Sequence, residues 1–211
     1  MIVNPADLTR KERYKFVIGA ILPRPIAWVS TIDKAGNLNV APFSYFTAVC
    51  NTPMTLLFCP AYSPIVEKEG RKDTLRNIEA IPEFVINLVN EDVAEAMNLT
   101  SAILPQGQSE FEYAGITPAP SETIRVSRVA EAPIAYECKL QRIVTVNDQP
   151  GGGSAVFGEV QRIHIRDDIF DSERGYIMLD KYKPIGRLGG NGYVRVTDTF
   201  EMQRPVIPGT S

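Results

Sequence analysis

The segment Glu69-Gly70-Arg71-Lys72-Asp73-Thr74-Leu75-Arg76-Asn77-Ile78 carries the strongest chemical signal in the chain. Arg71 and Lys72 stand directly before the residue expected to open a helix. A helix start presents unpaired N–H groups, and its dipole favours an anion there. Thr74 adds a hydroxyl in the first turn. Forked and point cations, amide donors and a hydroxyl together suit a phosphate group. The same residues would equally make a solvated charged turn with Asp73 as an ordinary cap.

A second constellation joins Arg24-Pro25-Ile26-Ala27-Trp28-Val29-Ser30-Thr31 to Asn39-Val40-Ala41-Pro42-Phe43-Ser44-Tyr45-Phe46. Two neighbouring strands would bring small hydroxyls and aromatics together. A flat heteroaromatic ring needs such a slot, with apolar walls and a few polar groups for its edge. Pro42 cannot donate to a ladder, so its strand is expected at an edge or a bulge. By composition alone, Trp28, Phe43 and Phe46 read more readily as core packing. The glycine-rich tail Lys181 to Tyr193 adds cations, Arg187 among them, on a backbone that a tight turn explains equally well.

Other chemistries find no support. GxxxxGK[ST], GxGxxG after a strand, HExxH and GxSxG are all missing. The single histidine, His164, cannot build a histidine-rich metal site and reads as a strand residue in or near the rim of a barrel wall.

These residues need a scaffold, and the patterning supplies one. A helix is expected over Asp7–Ile21, ended by Pro23 and Pro25. Pro25–Asp33 is apolar on both alternations and should be a strand covered on both faces. After a turn at Lys34–Asn37, Asn39–Cys50 returns as a second strand, and Met54–Cys59 follows the turn at Asn51–Pro53. A tight hairpin there sets Cys50 opposite Thr55 and Cys59 opposite Phe46. Asp73 caps a helix with the stripe Leu75, Ile78 and Ile81. Glu83–Val89 is a strand, and Asn90 caps a second helix with Val93 and Met97 on one face. Leu104–Pro120 reads as a surface loop. Ile134–Val146 alternates as a strand broken only at Arg142, with Cys138 inward and Glu137 on the polar side. Ser154–Ile165 is its partner.

Strands joined by short turns, with few helices, make the fold mainly β. They favour a closed or partly closed antiparallel barrel over a doubly wound parallel sheet. The 211 residues suit a single domain, with 44% hydrophobic and 22% charged residues excluding disordered and disulfide-scaffold classes. The net charge of −3 argues against nucleic acid or an anionic membrane as the main partner. An odd count of three cysteines, no apolar run of membrane-spanning length and an opening Met1–Asp7 without signal character point to the cytoplasm.

Taken in order, the two strand segments, Arg71-Lys72-Asp73-Thr74, Phe157–Ile165 and Arg187–Tyr193 resemble the flavin reductase-like, FMN-binding split-barrel family, which includes flavoredoxin-type proteins. The resemblance runs from about Ile18 to Tyr193 and leaves residues 194–211 as a C-terminal extension. It implies a homodimer of split antiparallel β-barrels, each holding FMN, or FAD, near the dimer interface. Ser30, Thr31, Asn39, Ala41, Ser44 and Phe46 would then line the isoalloxazine and ribityl groups. Arg71, Lys72 and Thr74 would hold the phosphate, with Arg187 nearby. NAD(P)H would pass hydride to flavin N5, the flavin carrying the redox chemistry and no protein acid or base being required. An FMN-bound electron carrier reduced by a protein partner, a flavin- or ligand-binding barrel without turnover, and the neighbouring pyridoxamine-phosphate-oxidase-like barrels are the alternatives.

Overall fold

The computed structural model describes residues 1–62, 71–105 and 108–205. Glu69 and Gly70 of the cation-bearing segment, residues 106–107 of the expected loop and residues 206–211 of the extension lie outside the described residues.

A single 3-10 turn, Pro5–Asp7, precedes helix α1, Arg10–Ala20. Thr9 and Glu12 cap α1 reciprocally: Thr9 Oγ1 accepts from Glu12 N–H at 3.3 Å, and Glu12 Oε2 from Thr9 N–H at 2.8 Å. Next come β1 (Ala27–Ile32), β2 (Leu38–Phe43), β3 (Phe46–Asn51) and β4 (Met54–Phe58). Helix α2 (Asp73–Ala80), β5 (Glu83–Leu88), α3 (Ala94–Leu99) and α4 (Glu110–Ala114) follow. Two short strands, β6 (Pro118–Ala119) and β7 (Arg128–Val129), lead into the long hairpin β8 (Ile134–Asn147) and β9 (Gly153–Ile165). The chain ends through β10 (Phe170–Asp171), β11 (Tyr176–Ile177), α5 (Leu179–Tyr182), β12 (Ile185–Arg187) and β13 (Tyr193–Arg195).

Seven strands form one antiparallel sheet in the order β2-β1-β5-β8-β9-β4-β3. Its two edge strands are joined by only Ser44 and Tyr45. A flat seven-stranded sheet would hold its edges roughly 29 Å apart, six spacings of about 4.8 Å. The three steps from Phe43 to Phe46 reach at most about 11 Å. The sheet must therefore curl until the end of β2 meets the start of β3.

That junction corrects the expectation of one strand over Asn39–Cys50, because the bend at Ser44–Tyr45 carries the chain from one sheet edge to the other. Pro42 sits on the edge strand β2, where a missing donor is tolerated. The β3–β4 hairpin sets Cys50 opposite Thr55 as expected, but a bulge at Val49 moves Phe46 opposite Phe58 instead of Cys59. All three cysteines are free thiols.

β1 is covered on both faces, as its patterning requires. Ala27 and Val29 join the interior cluster of Phe43, Phe58, Phe84 and Ile86, which Leu75 and Ile78 of α2 close off. Trp28 faces a second cluster with Val40, Met97 and Phe111 from α3 and α4, and its Nε1–H donates to Thr100 Oγ1 at 2.9 Å. Gly158 on β9 is dictated by the interior packing, since a Cβ there would lie 2.3 Å from the Phe84 ring.

Three further expectations change. Lys72, not Asp73, is the residue before α2, and among the described residues no side chain caps that helix. Asn90 does not cap α3, which opens after Val93. Instead Asn90 bridges to Pro184 and its amide donates to Asp92. The expected loop Leu104–Pro120 holds α4 and β6. Ser109 Oγ caps α4 and Gly115, at φ +65°, ends it.

Candidate functional site

Helix α2 is clipped to the sheet by two side-chain bonds. Asn77 Nδ2–H donates to Thr31 Oγ1 at 3.1 Å, and Asn39 Nδ2–H donates to Thr74 Oγ1 at 3.2 Å. The hydroxyl proton of Thr74 is left to point elsewhere. With no side-chain cap among the described residues, the first-turn amides of α2 keep their outward character, and Lys72 stands at the cap position. Fixed this way, the helix start becomes one wall of a cleft of about 980 Å³.

The apolar edge of β2 and the bend after it form the next wall, from Ala41 through Pro42 and Phe43 to Ser44 and Tyr45. The glycine turn Gly151–Gly153 and part of α1 complete the opening. Among the predicted residues, the fold brings Asn39, Ala41, Ser44, Lys72 and Thr74 together in this cleft.

The other predicted residues lie outside its lining. Ser30 is buried and donates to Ser127 O at 2.7 Å. Thr31 is buried too, and reaches the cleft only through Asn77 and the position of α2. Phe46 packs against the interior cluster. Arg71 pairs with Glu79 along α2. Arg187 folds onto its own tail, with Nη1–H donating to Gly192 O at 2.9 Å and its guanidinium 4.5 Å from the centre of the Tyr193 ring.

Sequence reasoning gave no role to three features that shape the site. Arg24 is buried and donates to Ile18 O at 2.8 Å, Ile21 O at 3.0 Å, Leu188 O at 2.9 Å and Ser44 Oγ at 3.3 Å, tying α1, the tail and the cleft into one knot. Glu110 lines the cleft and accepts from Val40 N–H at 3.3 Å on the free side of β2. Burial pushes its carboxyl up, and the nearby Asp73 adds to the rise. The signals were the Ser109 cap and Gly115, which bracket α4. The third feature is α1, whose Arg10, Arg13, Tyr14 and Val17 line the cleft without an apolar periodicity to announce it.

Among the described residues, no group of three or more histidine, cysteine, aspartate or glutamate side chains is placed to hold a metal ion. No helix among them is long and apolar enough to cross a membrane.

The sequence profile of the flavin reductase like domain matches residues 19–185. A protein of Halalkalibacterium halodurans is 40% identical over 98% of both chains. Two solved structures superpose closely over nearly the whole chain. The 2-nitrobenzoate 2-nitroreductase NbaA of Pseudomonas fluorescens has a TM-score of 0.86 and 35% identity, covering 97% of this chain and 96% of its own. Nitrilotriacetate monooxygenase component B of Bacillus cereus has a TM-score of 0.88 and 37% identity, covering 96% of this chain and 98% of its own.

Proposed function

Because this chain belongs to the flavin reductase-like family, we propose that it is a cytoplasmic, FMN-binding split-barrel oxidoreductase, working as a homodimer and using NAD(P)H. The observation that carries this reading is the cleft, where the start of α2 with Lys72 and Thr74 stands beside the apolar edge Ala41–Phe43. Phosphate chemistry and ring chemistry thus share one opening. The residues fit FMN: Lys72, the Thr74 hydroxyl and the α2 amides would take the phosphate. Ala41, Pro42 and Phe43 would face the ring system, with Asn39 and Ser44 at its polar edge.

Bound flavin would supply the two-electron redox centre that accepts hydride at N5. The protein's own part is placement. Asn39 and Asn77 hold α2 at a fixed distance from β2 and β1, so a phosphate anchored at α2 orients the ring against the β2 edge. Arg24 fixes Ser44 at the bend. The names of the two similar structures, a nitroreductase and a monooxygenase component, support an oxidoreductase role in which reduced flavin serves an acceptor or a second component. FMN is favoured over FAD here by the single phosphate-sized helix start.

Purified protein titrated with FMN should quench flavin fluorescence and turn over NADH or NADPH aerobically. A protein that fails to bind FMN would sink the assignment. Flavin that binds but is reduced only by a protein partner would turn it into a carrier. Replacing Lys72 with alanine should weaken FMN binding tenfold to a hundredfold, since a charge-assisted phosphate contact contributes roughly 1.5–3 kcal/mol. Riboflavin should bind parent and variant equally poorly. Unchanged FMN affinity in a folded variant would remove the α2 start from the site.

The dimer has physical support in α1, which buries no residue and exposes Phe16, Ile21 and Leu22 at its outer face and end. Apolar side chains grouped in this way favour a protein partner. Sedimentation equilibrium at micromolar concentration should give twice the 23.4 kDa chain mass. A clean monomer would count against the pairing.

A further inference from the structure

The cleft is cationic although the chain is not. The whole sequence carries a net charge of −3, yet Arg10, Lys11, Arg13 and Lys72 line the cleft against the two carboxylates of Asp73 and Glu110. Asp73 is already engaged by Arg76. Lys72 belongs to the α2 wall, whereas the other three cations come from α1. Arg10, Arg13, Tyr14 and Val17 have the i, i+3, i+4, i+7 spacing of a single helix stripe, and all four line the cleft. Among the described residues, none of the α1 cations makes an ion pair.

The stripe is held in place and does not simply trail in solvent. The capping box fixes the first turn of α1, and Arg24 binds the carbonyls of Ile18 and Ile21 at its other end. Between them, Arg10 lies on the β8–β9 turn. A Cβ on Gly151, which has φ +90°, would sit 2.5 Å from Arg10 Cδ, so the glycine makes room for the arginine stem. Arg10 and Gly151 thus line the cleft side by side.

We propose that Arg10 and Arg13 of this stripe form a second anion subsite, which takes the pyrophosphate of an adenine dinucleotide. The proposal rests on the flavin reading above and names a subsite for its second ligand. A cleft of about 980 Å³ is at the upper end of what one small ligand fills. Forked guanidinium groups match paired phosphate oxygens. A pyrophosphate carries two adjacent phosphoryl groups, where FMN has one that the α2 start can hold. Two sources share this chemistry, a nicotinamide dinucleotide and FAD.

The test compares the parent with the double variant Arg10→Gln, Arg13→Gln and with Lys15→Gln, whose side chain lies outside the cleft lining. Dissociation constants for FMN, FAD, NAD+ and NADP+ are measured by fluorescence and calorimetry. The double variant should bind FMN within twofold of the parent and lose at least tenfold in affinity for a dinucleotide. The dinucleotide that suffers the loss identifies the source. Lys15→Gln should change none of the four. Parent-like binding of every dinucleotide by the double variant would overturn the subsite, as would an equal loss for FMN and dinucleotides. If FMN fails to bind even the parent, the flavin reading falls. The NAD+ and NADP+ titrations then still decide whether the stripe binds a dinucleotide.

Discussion

Replacing Arg24 with methionine is expected to destabilise the fold by about 4 kcal/mol, the largest effect of any single side chain around the cleft. Arg24 is 5% exposed and has no carboxylate partner among the described residues. Its charge is met by three carbonyls and one hydroxyl instead. Two of those carbonyls, Ile18 O and Ile21 O, lie at the C-terminal end of α1, where a cation also meets the negative end of the helix dipole. Methionine would leave these acceptors without their donor, and would free α1 from the tail at Leu188. For a chain of this length the loss corresponds to a fall in melting temperature of about 8–16 °C. Arg24→Lys should recover part of it, since a single ammonium cannot span α1, Ser44 and Leu188 at once. Urea unfolding and limited proteolysis read the result: α1 should be cut earlier in the methionine variant. A cost below about 1 kcal/mol, with α1 equally protected, would mean that α1 and the tail are held by something else.

Arg24 also shows which parts of this fold could be read from the chain. Periodicity found the elements whose burial is regular: β1 with both faces apolar, α2 with Leu75, Ile78 and Ile81 inward, and the β8–β9 hairpin. It also set Cys138 in the core, where burial pushes its thiol up. What escaped was long-range. The break at Ser44–Tyr45 is invisible to alternation because it marks a change of sheet edge, not of polarity. Arg24 and Leu188 meet across 164 positions, and no local pattern encodes such a pairing. The extension after Tyr193 looked unassigned, yet Arg195 stands opposite Ile185 of β12 in the ladder and its side chain donates to Glu91.

The site divided along the same line. Asn39, Ala41, Ser44, Lys72 and Thr74 were legible because each belongs to a short motif whose chemistry suggests a ligand, and the fold gathers all five in one cleft. Ser30 and Thr31 belong to the same motif, but the second side of β1 is covered, so their hydroxyls serve internal bonds. Glu110 was hidden because α4 is only five residues long, too short for periodicity. Alternation also misplaced Glu137. A strand's outer face counts as polar only until another segment lies across it.

Glu137 lies beneath such a segment and sets the second large effect. Its side chain is fully buried, and its carboxylate accepts from Glu122 N–H at 2.6 Å, Thr123 N–H at 2.7 Å, Thr123 Oγ1–H at 2.5 Å and His164 Nε2–H at 2.6 Å. Ile124 and Val126 of the same segment pack on Val85 and Ala135 beneath it. Burial alone would raise the carboxyl, but the bonds from His164, Thr123 and the two amides outweigh it and hold the pKa at about 2, against an ordinary 4.5. A pKa lowered in the folded state stabilises at pH values above the unfolded one. This contribution, about 3 kcal/mol, is whole above pH 4.5 and is lost as the pH falls from there towards 2. Glu137→Gln keeps the size and removes the charge, and its amide N–H groups would be set against donors from which the carboxylate now accepts. At pH 7 the variant should be about 3 kcal/mol less stable, a fall in melting temperature of about 6–12 °C. As the parent's carboxyl takes up its proton, the two proteins should converge, so urea melts at pH 7, 5, 4 and 3 should show a shrinking gap. A gap that stays constant across that range would mean the carboxylate's charge is not what holds the Glu122–Thr123 segment to the sheet.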